Sequence, residues 1–83
     1  MTNQPLTVEI KTPEKVIATL SAEWVSSVNS QGPFDILGLH ANFITIVEKA
    51  PIRIKSGSEV KEYTFSRSVI YTHKNVVKIY CNI

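Results

Sequence analysis

Apolar and polar residues alternate with period two through most of this chain, and no stretch carries a helical period long enough to propose a helix. Leu6, Val8 and Ile10 alternate with Thr7, Glu9 and Lys11. The first predicted strand therefore buries one face, wets the other and stops at Thr12-Pro13, where proline withholds a ladder donor. Residues 16–20 and 24–28 are β-branched and aromatic runs that predict two more strands, separated by the polar stretch Ser21-Ala22-Glu23. Turn formers gather at Asn29-Ser30-Gln31-Gly32-Pro33, and Gly38 marks another break, which leaves 34–37 as a short strand between loops. Strands are also predicted at 43–47, 52–55, 59–65, 69–72 and 76–81. Ser56-Gly57-Ser58 and His73-Lys74-Asn75 serve as hairpin loops. The pattern is all-β, about nine short strands at the spacing of a flattened sandwich or barrel.

At 83 residues, positions 1–83 form one small domain with a thin margin of stability. Its 43% hydrophobic and 19% charged residues place it among globular chains rather than disordered ones. A single cysteine, Cys81, closes no intramolecular disulfide, and two histidines besides make no structural zinc cluster. Cys81 on a strand pattern reads as a small packed hydrophobe. The longest apolar runs are far too short to cross a bilayer, and Met1-Thr2-Asn3-Gln4-Pro5 has neither the basic nor the apolar part of a leader. The expectation is a soluble, unprocessed, cytosolic protein. The net charge of +2 is too small to announce nucleic-acid or membrane binding. It is unevenly divided: 2 basic against 4 acidic residues up to Val47, then 7 against 3 from Glu48 onward.

Little in the chain suggests bond chemistry. His40 sits beside a glycine break and His73 in a hairpin loop, and nothing pairs either with a nucleophile or an orienting carboxylate. No spacing places two of Glu14, Glu23 and Glu48 together as a glycosidase pair. Glycines at 32, 38 and 57 make neither a dinucleotide fingerprint nor a P-loop, and no cofactor is expected. Arg53, Lys55, Lys61, Arg67, Lys74 and Lys78 interleave with Tyr63, Phe65, Tyr71 and Tyr80. Such a face could stack single-stranded nucleic acid. Alternatively, the lysines point outward to protect edges while the aromatics point inward. Parity mixes the two sets: Tyr63 and Phe65 share a face with Glu59 and Lys61, and Tyr80 shares one with Lys78. Mixed faces of this kind also fit a protein–protein surface.

Gly32-Pro33-Phe34-Asp35-Ile36-Leu37-Gly38-Leu39-His40-Ala41 resembles the epsilon subunit family of rotary ATP synthases, called delta in mitochondria. The family pattern there runs G-x-F/L-G-I-x-P-G-H-A-P. Glycine, the large apolar residue, isoleucine, histidine and alanine fall in register at 32, 34, 36, 40 and 41. Val8-Glu9-Ile10 with Thr12-Pro13-Glu14 is similar to the family's opening strand and T-P-E turn. Thr45, Ile52-Arg53-Ile54 and Asn75-Val76-Val77 align downstream, so the likeness runs from Leu6 to Asn82. The chain departs from the pattern at Asp35, at Gly38-Leu39 in place of proline-glycine, at Asn42 in place of proline, and at Ser66-Arg67-Ser68 in place of the S-G-G turn.

The resemblance implies a flattened β-sandwich of ten strands, against the nine or so counted from the pattern, and one that does no bond chemistry. It implies a subunit that packs on the gamma subunit and the polar loops of the c-ring, in the central stalk of a proton-translocating synthase. The complex would lie peripherally on the cytoplasmic face of the bacterial plasma membrane, with no nucleic-acid partner. Carried over residue by residue, the rotor-ring and gamma junction falls to Phe34, Gly38, Leu39, His40 and Asn42, with Thr12 and Thr45 near the gamma-facing side. Family members commonly carry a helical hairpin after the sandwich, and this chain stops at Ile83. The implied protein is a coupling subunit without the inhibitory brake. Partner faces on such a subunit are expected to be large and apolar. Two readings stand beside this one: a stand-alone β-domain binding single-stranded nucleic acid, and an accessory domain serving another protein partner.

Overall fold

The computed structural model describes residues 5–38 and 42–82 and shows nine strands among them. They are β1 (Leu6–Lys11), β2 (Val16–Ala22), β3 (Trp24–Asn29), β4 (Gly32–Leu37), β5 (Phe43–Val47), β6 (Pro51–Ser56), β7 (Glu59–Thr64), β8 (Ser68–His73) and β9 (Val76–Cys81). The first sheet has the order β2-β1-β9-β8-β5 and the second β4-β3-β6-β7. Every paired neighbour is antiparallel except β1 with β9, which run parallel with Val8 beside Val77 and Ile10 beside Ile79. The first and last strands thus lie side by side, and the Thr7 N–H donates to the Asn75 carbonyl at 2.9 Å.

Period-two alternation becomes two facing inner surfaces. The first sheet contributes Leu6, Val8, Ile10, Ile70, Val77, Ile79 and Cys81, and the second Val25, Ile36, Ile52 and Ile54, all buried. Each such aliphatic side chain contributes about 1.5–3 kcal/mol by leaving water. Phe34, Phe43, Tyr63 and Phe65 pack half-buried around this core. The margins are tied across the sheets by side chains. On one, the Ser56 Oγ donates to the Ser21 carbonyl at 2.7 Å, and on the other the Asn29 Nδ2 donates to the Thr45 Oγ1 at 3.0 Å.

The strand count matches the alternation, and the differences lie at strand ends. β2 runs on through Ala22, which is apolar, buried and paired with Leu6, so only Glu23 makes the break. There the Glu23 N–H donates to the Lys55 carbonyl as the chain crosses to the second sheet. β4 begins at Gly32, whose φ of 118° closes the β3–β4 hairpin, and its Pro33 is tolerated because β4 is an edge strand. His73 belongs to β8, and the hairpin loop shrinks to Lys74-Asn75 with φ of 49° and 64°, the left-handed pair that matches strand twist in a two-residue turn. The residue that the family pattern has as glycine, Asp35, lies within β4 and is absent from the left-handed positions, so this departure costs no backbone strain.

Cys81 is the packed hydrophobe that its pattern implies. Its thiol donates to the Lys11 carbonyl at 3.5 Å, and burial raises its pKa above the ordinary thiol value. Two other inward groups, the Ser68 and Thr72 hydroxyls on β8, are buried with no hydrogen-bond partner.

Candidate functional site

Of the residues singled out by the family pattern, Leu39 and His40 lie outside the described residues. The other five fall into two groups. Thr12, Phe34 and Thr45 are held in bonds or packing of the fold itself. The Thr12 Oγ1 accepts from the N–H groups of Glu14 and Lys15, both at 3.2 Å, which closes the β1–β2 turn around Pro13. Phe34 faces inward from β4 with its ring centroid 5.5 Å from that of Phe43. Thr45 is the acceptor of the Asn29 bond that joins the sheets.

Gly38 and Asn42 flank the connection from β4 to β5. Asn42 is exposed, and its Oδ1 lies within hydrogen-bond distance of the Nδ1 of His73, at 3.0 Å. The His73 ring is nearly parallel to that of Tyr71, 6.2 Å away. Asn42, just before β5, is thereby joined to β8 at the β8–β9 hairpin, 31 residues on. Thr12 is not brought to this cluster. In the first sheet Thr7 pairs with Val76 and Val76 with His73, at the end of β1 opposite Thr12. The six residues of β1 separate the two ends by roughly 20 Å.

What sequence reasoning missed lies beside that loop, on the outward face of the first sheet. Ile44 is 67% exposed, Ile46 45% and Tyr71 38%, and Val69, Val76 and Tyr80 are half-buried next to them. Register places Ile46, Val69 and Tyr80 in one row across β5, β8 and β9, with Ile44, Tyr71 and Lys78 in the next on the same face. The available signal was the run Phe43-Ile44-Thr45-Ile46-Val47. It is apolar on both parities, as in a strand covered on both faces, yet it stands at the edge of its sheet.

The basic and aromatic residues that suggested a nucleic-acid platform are divided among different surfaces. Arg53 and Lys55 alternate with the buried Ile52 and Ile54 and so point outward from the second sheet, whereas Lys78, Tyr71 and Tyr80 point outward from the first. Tyr63 and Phe65 stack on one another, 6.2 Å apart, against the core. The idea that the aromatics all turn inward holds for these two and fails for Tyr71. Among the described residues no group of three or more His, Cys, Asp and Glu could hold a metal ion. The arrangement offers contact area and one loop end joined to β8.

The family described as ATP synthase, Delta/Epsilon chain, beta-sandwich domain matches residues 5–83. The chain belongs to this family. A curated relative, the ATP synthase epsilon chain of Brevibacillus brevis, is 39% identical over 51 residues, covering 61% of this chain and 39% of the relative. The chain therefore spans well under half the length of that relative. Two solved structures share the fold. A chain in the central stalk/c-ring structure of the Tetrahymena thermophila mitochondrial ATP synthase superposes with a TM-score of 0.79 at 18% identity, over 100% of this chain and 67% of that one. A chain in the OSCP/F1/c-ring structure of the Euglena gracilis mitochondrial ATP synthase, in rotational state 1, superposes with a TM-score of 0.84 at 12% identity, over 93% and 50%.

Proposed function

We propose that this chain is a non-catalytic subunit of the central stalk of a proton-translocating rotary ATP synthase, packing on the gamma subunit and on the polar loops of the c-ring. The observation that carries the reading beyond family membership is the apolar outer face of the first sheet, with Ile44 and Ile46 presented to water from the sheet's edge. Isolated exposed apolar residues are ordinary, but a contiguous apolar face is a contact surface. Torque passes through a stalk only if faces bury enough complementary area not to slip, and the two-sheet core supplies the stiff body on which such a face must be mounted. Gly38, Leu39, His40 and Asn42 supply the loop for the c-ring and gamma junction, and the Asn42–His73 bond steadies its second end. Within this reading Phe34 and Thr45 shape the surface from behind, and Thr12 holds the β1–β2 turn near the gamma-facing side. The complex is peripheral to the membrane, on the cytoplasmic side in a bacterium.

The test is co-purification with the gamma subunit of the same genome, followed by calorimetry of the isolated pair in moderate salt. One-to-one binding is expected. A folded gamma subunit that does not bind would overturn the reading.

A further inference from the structure

We infer that the outer face of the first sheet receives a surface of its partner on which an apolar patch is flanked by carboxylates. This deepens the stalk reading and rests on it. Shape is the first argument. The apolar strip spans β5, β8 and β9 in the row of Ile46, Val69 and Tyr80, and β5 and β8 in the row of Ile44 and Tyr71, which ends on Lys78. At a strand spacing of ~4.8 Å and a same-face repeat of ~7 Å, this is a flat patch of about 10 by 7 Å between side-chain centres. The strip presents side chains rather than backbone, so a partner surface laid on it buries apolar area without competing for ladder bonds.

Charge is the second argument, and it sets the chemistry of the occupant. Lys11, Lys78 and Glu9 share this outer face, with Lys74 at its margin in the β8–β9 turn. Glu9 is 3.7 Å from Lys11 and stands beside Lys78 in the register of β1 and β9, so one carboxylate faces three ammonium groups. Among the described residues, neither Lys74 nor Lys78 is engaged in an ion pair. Both line a depression floored by Tyr71, His73 and Val76, beside the exposed isoleucines. An apolar bed with an excess of ammonium groups along one side accepts carboxylates there.

The test is calorimetry with the gamma subunit on three forms of this chain: wild type, the double variant Lys74→Glu/Lys78→Glu, and Arg53→Glu on the outer face of the second sheet. All the substituted side chains reach solvent, and thermal unfolding checks each fold. Wild type should bind, and weaken about tenfold or more as salt rises from low to high ionic strength. The double variant should weaken about tenfold or more at low salt, and Arg53→Glu should stay within about twofold. Gln at both lysines should give an intermediate loss. If wild type binds and the double variant binds equally or more tightly, the inference is overturned while the stalk reading stands. If wild type does not bind at all, both fall.

Discussion

The outward faces of the two sheets are made from the same pleat and serve different surroundings. Across the middle of the second sheet runs a polar row, Asp35, Ser26, Arg53 and Glu62, set by the register of β4, β3, β6 and β7. It separates the apolar residues at the two ends, with Trp24, Leu37 and Val60 on one side and Val28 and Pro33 on the other. The first sheet has no such row on its β5 side, where Ile44, Ile46, Val69, Tyr71 and Tyr80 adjoin without a charge among them. Their edge strands differ in the same way. β7 carries Glu59, Lys61 and Glu62, and Lys61 has the parity of the inward Tyr63, a charge where an added strand would have to bury it. β5 carries no charge at all. One face and edge carry interspersed charge, and the other an apolar strip with an uncharged edge strand.

Substitutions on the two sides of the molecule test that contrast. The largest effect separates the two sides of a single strand. Ile70→Ala on the inner side of β8 should cost about 2–5 kcal/mol in denaturant unfolding, and Tyr71→Ala on the outer side less than about 1, because only the first opens a cavity. Next, Ile44→Asp should leave the unfolding midpoint nearly unchanged and weaken gamma binding by roughly 2 kcal/mol or more, while Val60→Asp on the second sheet changes binding little. Equal losses from both would erase the contrast.

Smaller effects test the ground beneath it. Thr72→Val removes a buried hydroxyl that has no partner and should stabilise the chain by about 1 kcal/mol, which chemical denaturation can read. Arg53→Ala removes an exposed pair, 3.8 Å from Glu62, and should shift stability by less than about 0.5 kcal/mol. Cys81 predicts the direction of an alkaline effect. Burial raises its thiol pKa, so the folded chain holds that proton to higher pH than the unfolded chain does. Its contribution is complete below the ordinary thiol value and is lost as pH rises from there to the folded value. Cys81→Ala should remove this part of the decline in a pH series of melts.

Most of the fold was legible in the sequence because alternation is a direct imprint of the pleat: Leu6, Val8 and Ile10 had to face one way for any core to form. The strand ends were less legible. A residue such as Ala22 is polar or apolar by context, and only its burial opposite Leu6 keeps β2 going. The family motif located the β4–β5 loop, but it could not separate residues that face a partner from those that shape the loop. Thr45 and Phe34 also make contacts within the fold, with Asn29 and Phe43, which no local pattern shows. The apolar outer face was hidden for a related reason. Ile44 and Ile46 look like core residues until the strand order puts β5 at the edge, and sheet order is a long-range property that no local pattern carries.

The central claim is that the outer face of the first sheet meets the stalk. The most direct measurement places a photo-reactive side chain at Ile44 or, separately, at Val60, and illuminates the assembled synthase. Cross-linking to the gamma subunit from position 44 and none from position 60 is the predicted result. Cross-linking from 60 with none from 44 would contradict the account.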